Sequence, residues 1–513
     1  MRNHTSFETV PQGEQQRRVR RKEINRRQLL LRPVEVEKLV DLDHPVRAIW
    51  ELVGGLDLEP FFAEIESVEG VAGRPVWDPQ LLISLWLYAY KDGVSSAREI
   101  TRLCDYHPAY QWLTGLEVVN YHTLADFRIE HKEALDQLFI DVLGVLSHEG
   151  LVTLQRVMHD GTKVKAWASD KSFHRKATLE DHLRLAREQV EQMGDPESEE
   201  LSQRVRKARQ RAFREKQQRL RKAMEQLEHL KARRSELSDK EEGKRRNREP
   251  RASTSDPEAR IMIQAKGAYG PAYNVQISTD AQAKIIVGVG VGQSTDAGEL
   301  EPAVERVEAN LGDKPQQMVV DAGYTNQETI EAMAHDHIDL IGALAERRNS
   351  RWDPLKWCGK SPEFYPQAFT YDAGKNGYRC PVGKELLYEG EERKGGWLHR
   401  RYRARASDCQ ACSFQTQCCP GTRRGRSLVH REQTVALAAF EAKMKTSEAQ
   451  QIYKQRAGVA EFPHAWIKDK IGLRQFRLRG LSKVRIEAVW VCLTYNICQW
   501  IRLCWNPRRW VQA

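Results

Sequence analysis

Two carboxylates stand where a carboxylate is costly. In RVMHDGTKVKA, from Arg156 to Ala166, Val157 and Met158 lead to His159 and Asp160. Gly161 interrupts the run, and alternation resumes at Thr162, Val164 and Ala166. That is a strand with a charge in its middle, which costs several kcal/mol, roughly, unless the charge is paired or holds a metal. QMVVDAGYTN repeats the pattern: Val319 and Val320 precede Asp321, and Gly323 follows. In α/β sheets, sites gather at the carboxyl ends of strands. Two aspartates there on neighbouring strands repel each other unless a cation intervenes. Two divalent ions roughly 3.5–4 Å apart are the usual arrangement for phosphoryl chemistry. Oxygen ligands around an open site suit Mg²⁺ or Mn²⁺. A third carboxylate should come from a helix packing on this sheet, and Glu461 is the candidate; taken alone it reads equally as an exposed Glu at a helix start. Pro463, two residues on, predicts that Glu461 lies in the first turn of a helix. Lys468 then shares its face two turns later, about 10.5 Å along the axis. Tyr453 and Arg456 stand just upstream. Glu487 is a rival, but VRIEAVWVCLTYNICQW reads as a core helix. His159 should face the other side of its strand from Asp160, in a packing or supporting role.

The cysteines suggest a second chemistry. Cys409 and Cys412 have the C-x₂-C spacing of metal ligands, with Cys418 or Cys419 close behind. Cys380, before Pro381 and Gly383, completes a set of four, with Cys358 as a substitute. Thiolates in tetrahedral array select Zn²⁺. The alternative is reduced cysteines in a loop. Arg423, Arg424 and Arg426 would give a zinc knuckle a basic rim for DNA. Cys104, Cys492, Cys498 and Cys504 sit in apolar helical patterns and are expected in the core.

The chain has 513 residues, 40% hydrophobic and 30% charged, with a net charge of +10 and a pI near 9.0. That balance favours an anionic partner, nucleic acid ahead of a membrane. No apolar run approaches ~18 residues, which excludes a membrane-spanning helix. The N-terminus lacks the apolar region of a secretion signal. Ten cysteines in a cytosolic chain are better explained by free thiols or metal than by disulfides.

Hydrophobic periodicity divides the chain. Residues 1–30 read as a flexible basic arm, and 31–150 as an all-helical domain, for DNA binding or for dimerisation and packing. Residues 151–177 open a catalytic core. A charged insertion over 178–255 reads as a helical hairpin or coiled coil hinged at Gly194–Pro196. It is either a solvated helix of mixed charge or a basic helix that tracks phosphates. Residues 256–348 continue the core with strands YNVQISTD and KIIVGVGVGQ, a helix ending at Gly312, the Asp321 strand, a helix and IDLIGAL. Residues 349–430 form the Cys-rich insertion, and C-terminal helices over 431–513 complete the core. Three strands followed by β/α alternation give an α+β chain with a mixed sheet flanked by helices, an order that fits an RNase H-like core.

The segments HDGTKVKAWAS, KGAYGPAYNVQISTD, VVDAGYTN and AEFPHAWIKDKIGLRQFRLRGLSKVRIE, in that order, resemble DDE transposases of bacterial insertion sequences, the insertion-sequence 1182-like group above all. LLRPVEVEKLVDLDHPVR and DPQLLISLWLYAYKDGVSSAREI resemble the N-terminal domain of that family. The resemblance implies an RNase H-like core in which Asp160, Asp321 and Glu461 hold two Mg²⁺ or Mn²⁺ ions. It also implies cleavage at element ends followed by strand transfer into target DNA. The family's tyrosine–arginine–glutamate–lysine signature maps onto Tyr453, Arg456, Glu461 and Lys468, with an Arg-to-Glu gap one residue longer than its commonest form. Double-stranded DNA (terminal inverted repeats and target), a homodimer, and a bacterial cytoplasmic, nucleoid-associated location are implied with it. The other readings are a catalytically inactive DNA-binding protein derived from a transposase, and an RNase H-like nuclease that cuts without joining.

Overall fold

The computed structural model describes residue 27 and residues 33–63, 75–192, 203–238, 249–264, 267–344, 359–394, 397–431 and 434–507. Most of the N-terminal arm, the Gly194–Pro196 hinge and Cys358 lie outside the described residues.

Among the described residues, seven α-helices open the fold: α1 (Pro45–Gly54), α2 (Glu59–Phe62), α3 (Pro79–Lys91), α4 (Ala97–Tyr106), α5 (Pro108–Thr114), α6 (Tyr121–Glu130) and α7 (Lys132–His148). Helix α3 starts where Asp78 accepts the Gln80 N–H, with Pro79 in the first turn. It is apolar all round and buried from Leu81 to Tyr90, as a central helix must be.

Strand β1 (Val157–Lys165) then begins a six-stranded sheet. The charged segment follows, as the pair β2 (Phe173–His174) and β3 (Ala252–Ser253) with α8 (Lys176–Gln192) and α9 (Gln203–Ser238) between them. The two helices pack through Leu179, Ala186, Leu220, Ala223 and Leu227. The sheet resumes with β4 (Arg260–Ile263), β5 (Tyr269–Asp280) and β6 (Ile286–Gly292). Helix α10 (Leu300–Leu311) comes next, closed by Gly312 in the left-handed region. It is followed by β7 (Gln317–Val320), α11 (Gln327–His335) and β8 (Asp339–Gly342). The order is β4-β5-β1-β7-β8, with β6 also pairing β5. Strand β5 is antiparallel to β1, β4 and β6, while β1, β7 and β8 run parallel. This is the mixed sheet the element order predicts.

The Cys-rich insertion carries a sheet of its own, which the sequence reading did not anticipate. Strands β9 (Thr370–Asp372), β10 (Gly377–Arg379), β11 (Glu385–Lys394), β12 (Trp397–Ala404) and β13 (Ser427–Arg431) form an antiparallel meander. The short helices α12 (Ala406–Gln410) and α13 (Gln415–Cys418) lie between β12 and β13. Glu–Arg pairs across β11 and β12 (Arg401–Glu392 at 3.2 Å, Arg403–Glu389 at 2.7 Å) explain why this ribbon reads as charge rather than as strand.

Three helices finish the chain: α14 (Val435–Met444), α15 (Ser447–Asp469) and α16 (Leu481–Leu503). Helix α16 is buried along nearly its whole length. It packs against α3, α7 and β6, so the N-terminal helices and the sheet share one hydrophobic core. Cys104 and Cys492 are buried there, and Cys498 and Cys504 are partly buried.

Candidate active site

Adjacent parallel strands set the aspartates side by side. Val157 pairs with Met318 and Met158 with Val319. Two places further, the same register sets Asp160 level with Asp321, just past the carboxyl end of β7, on the same face of the sheet. Asp321 accepts the Gly323 N–H at 2.7 Å. Burial pushes the Asp160 carboxyl up to about 6, and the charges of Asp321 and Asp296 push the same way. Arg456 and the Gly161 N–H (2.9 Å) oppose that rise.

Helix α15 covers this face. Ala449 and Ala460 pack with Met158, Val319 and Ile341, and Tyr453 sits at the edge of that cluster. Arg456 Nη1 reaches Asp160 Oδ2 at 3.4 Å, with both side chains less than a fifth exposed. Lys468 Nζ donates to the Thr162 hydroxyl, on the same face of β1 as Asp160. His464 is buried against the Asp160 main chain, and burial holds its imidazole down at about 4.

Glu461 departs from expectation in one respect. It lies in the middle of α15, with Pro463 inside the helix, and not in a first turn. Proline removes one helical hydrogen bond, but the buried Pro463 packs on the inner side of a helix held by the sheet. Tertiary burial outweighs the local break. Tyr453, Arg456, Glu461 and Lys468 therefore share one continuous helix. Arg456 and Lys468 reach the strands, and Glu461, two turns before Lys468 on the same helix face, is exposed. Among the described residues, no three His, Cys, Asp or Glu side chains are already gathered as a metal-holding group. The chain thus brings Asp160 and Asp321 together and leaves Glu461 on the covering helix beside them. The rival, Glu487, is fully buried and accepts the N–H groups of Arg477 (3.0 Å) and Leu478 (2.9 Å), an anchor for the loop before α16.

The opposite face of β1 carries a polar network absent from the sequence reading. His159 is fully buried between Ser278 Oγ and Gln276 Oε1, each at 2.9 Å. Burial drives its imidazole down to about 3, so it is neutral, in the packing role expected of it. Tyr324 donates to Gln276 Oε1 at 2.6 Å, and Gln276 Nε2 donates to Asp296 Oδ1 at 3.1 Å. Asp296 also takes Asn274 Nδ2 at 2.8 Å and pairs with Lys163 at 3.1 Å. Gly161 makes room for this: a Cβ there would stand 2.5 Å from Asp296 Oδ1 and 2.6 Å from Gln276 Nε2. Asp296 stands four residues past β6. The reasoning that singled out Asp321, a carboxylate at a strand exit, applied to it equally.

In the Cys-rich module, Cys380, Cys409, Cys412, Cys418 and Cys419 line one small cavity of about 20 Å³. Arg426 does not belong to a basic rim. It is 3% exposed, donates to the Phe364 carbonyl at 3.0 Å, and lies over the Phe369 ring.

Residues 379–501 match the family described as Transposase DDE domain, and residues 34–130 the family described as Transposase domain (DUF772). The first match includes Glu461 and its helix; neither includes Asp160 or Asp321. No curated protein matches the chain. A cryo-EM structure of piggyBac transposase, a synaptic complex with hairpin DNA, aligns over 93% of this chain and 81% of that one. The identity is 9% and the TM-score 0.25, too loose an overlap to carry an argument.

Proposed function

We propose that this chain, of which residues 379–501 and 34–130 match two transposase families, is a DDE-type DNA transposase of the insertion-sequence 1182-like kind that cleaves element ends and joins them to target DNA. One observation carries the reading. Asp160 and Asp321 lie level on adjacent parallel strands, under a helix that bears Arg456, Glu461 and Lys468. The strand order β6-β5-β1-β7-β8, antiparallel on one side of β1 and parallel on the other, supports an RNase H-like core.

The donor set suits a divalent cation: two adjacent carboxylates, one of them kept from ionising easily by burial and by its neighbour. Mg²⁺ or Mn²⁺ held by Asp160 and Asp321, with Glu461 of α15 completing the set, would supply Lewis-acid activation of a water or 3′-hydroxyl and charge relief on the leaving oxygen. The chain's own cations do the positioning. Arg456 and Lys468, held at the two strand positions Asp160 and Thr162, would orient the phosphate and oppose its developing charge. Lys163 is committed to Asp296 and steadies the loop beyond β6.

The substrate in this reading is double-stranded DNA. Base contacts belong first to the N-terminal helices, and two copies of the chain hold the two ends, in the bacterial cytoplasm at the nucleoid. The test is a labelled end of the element incubated with protein and Mg²⁺, wild type beside Asp160→Asn. Cleaved and joined products that vanish in the variant, with end binding retained, support the proposal. Cleavage without joining makes the protein a nuclease. Binding without cleavage makes it a DNA-binding protein without catalysis.

A further inference from the structure

The module around β9–β13 has too little core for its size. Among the described residues, seven buried ones, including Phe364, Leu386, Tyr402 and Leu428, make up its hydrophobic cluster, against about seventy in the shared core of the main body. Small units with so few buried groups are ordinarily held by a disulfide or a metal. Cys380, Cys409, Cys412, Cys418 and Cys419 are all free thiols. What gathers them is the cavity of about 20 Å³ that all five line, room for a single small occupant.

Main-chain donors are already aimed at two of the sulfurs. The Lys384 N–H donates to Cys380 Sγ at 3.2 Å, across a tight turn in which the Cys380 N–H donates to the Lys384 carbonyl at 2.8 Å. The Arg426 N–H donates to Cys409 Sγ at 3.3 Å. Main-chain N–H groups directed at sulfur are the kind of supporting hydrogen bond that orients metal ligands. The charge balance points the same way. Arg426 is buried beside the cavity with no carboxylate paired to it among the described residues, and its Nε has no hydrogen-bond partner there. A buried guanidinium needs a counter-charge. Four thiolates around one Zn²⁺ carry a net charge of −2 and supply it.

We propose that Cys380, Cys409, Cys412 and Cys418 bind a structural Zn²⁺ that closes this module. Cys418 is chosen as the fourth ligand because it lies within electrostatic reach of all three others, Cys380, Cys409 and Cys412. The thiols ring the cavity without forming one coordination sphere as they stand. Rotation about the Cα–Cβ bond re-aims a cysteine sulfur with the main chain in place. The site is separate from the carboxylates and does not depend on the catalytic reading.

The experiment is metal analysis of the full, untagged chain, purified reduced and without added zinc, followed by exchange with Co²⁺. Mass spectrometry should find about one zinc per chain, and the cobalt form should show the strong visible bands of a tetrahedral tetrathiolate. Cys412→Ser should lose the zinc, and Cys419→Ser should keep it. A folded wild type without zinc overturns the proposal, as does a Cys412→Ser protein that retains full zinc. Loss of zinc from Cys419→Ser with retention in Cys418→Ser overturns the choice of the fourth ligand.

Discussion

Asp160→Asn should stabilise the metal-free protein while abolishing its chemistry. The Asp160 carboxyl sits at about 6 in the fold, against an ordinary 3.8. Each tenfold change in proton affinity is 1.36 kcal/mol, so ionising Asp160 in place costs about 3 kcal/mol more than ionising it in the unfolded chain. The attraction of Arg456 is already contained in that figure. The sign follows from proton counting. Between pH 3.8 and about 6 the folded chain holds a proton that the unfolded chain has released, so stability falls as pH rises through that window. At pH 7.5 the full cost is present. An asparagine removes it and can still accept the Gly161 N–H. In EDTA the variant should gain about 2–3 kcal/mol, a rise of roughly 4–12 °C for a unit of catalytic-core size. At pH 4 the gain should vanish. Added Mg²⁺ should raise the wild-type midpoint by binding only the folded state, and the variant much less. Calorimetry at the two pH values, with and without Mg²⁺, is the assay. A variant no more stable than wild type at pH 7.5, or equally stabilised at pH 4, would refute the strained-carboxylate argument.

Gly161→Ala should destabilise by about 1–3 kcal/mol, because its Cβ would press on Asp296, Gln276 and Tyr324 at once; an unchanged urea midpoint would mean that the network yields freely. Glu487→Ala should cost roughly 1–3 kcal/mol for each main-chain N–H left unpaired, those of Arg477 and Leu478, and reduce soluble yield; a stable, well-folded but inactive Glu487→Ala would instead mark Glu487 as the third carboxylate. His159 at about 3 and His464 at about 4 stay neutral where the unfolded chain, at 6.5, takes up protons. Stability should therefore fall as pH drops from 6.5 towards 4, seen most cleanly by urea titration of Asp160→Asn, where the opposing carboxylate is gone. Lys468→Gln should slow cleavage by roughly 10²-fold with little loss of end binding; an unchanged rate would make the Thr162 contact merely structural.

Much of this was legible in the chain. Alternation located β1, β5 and β6, and a charge interrupting that alternation singled out Asp160 and Asp321, because an ionised group in a buried strand needs a reason. The helix ends at Asp78 and Gly312 followed from capping chemistry. Other features were decided only in three dimensions. Pro463 signals a helix start locally, yet α15 runs through it, since packing on the sheet recovers more than one hydrogen bond loses. The meander of β9–β13 was hidden because its strands balance charge across the ribbon instead of alternating apolar and polar residues. Arg426 looked like part of a basic rim, but a neighbouring main-chain carbonyl and an aromatic ring bury it. The pairing of Asp160 with Asp321, the Asp296 network behind Gly161 and the convergence of five cysteines on one cavity all join residues far apart in the chain. Strand register and close packing set those contacts, and neither is a property of any local stretch of sequence.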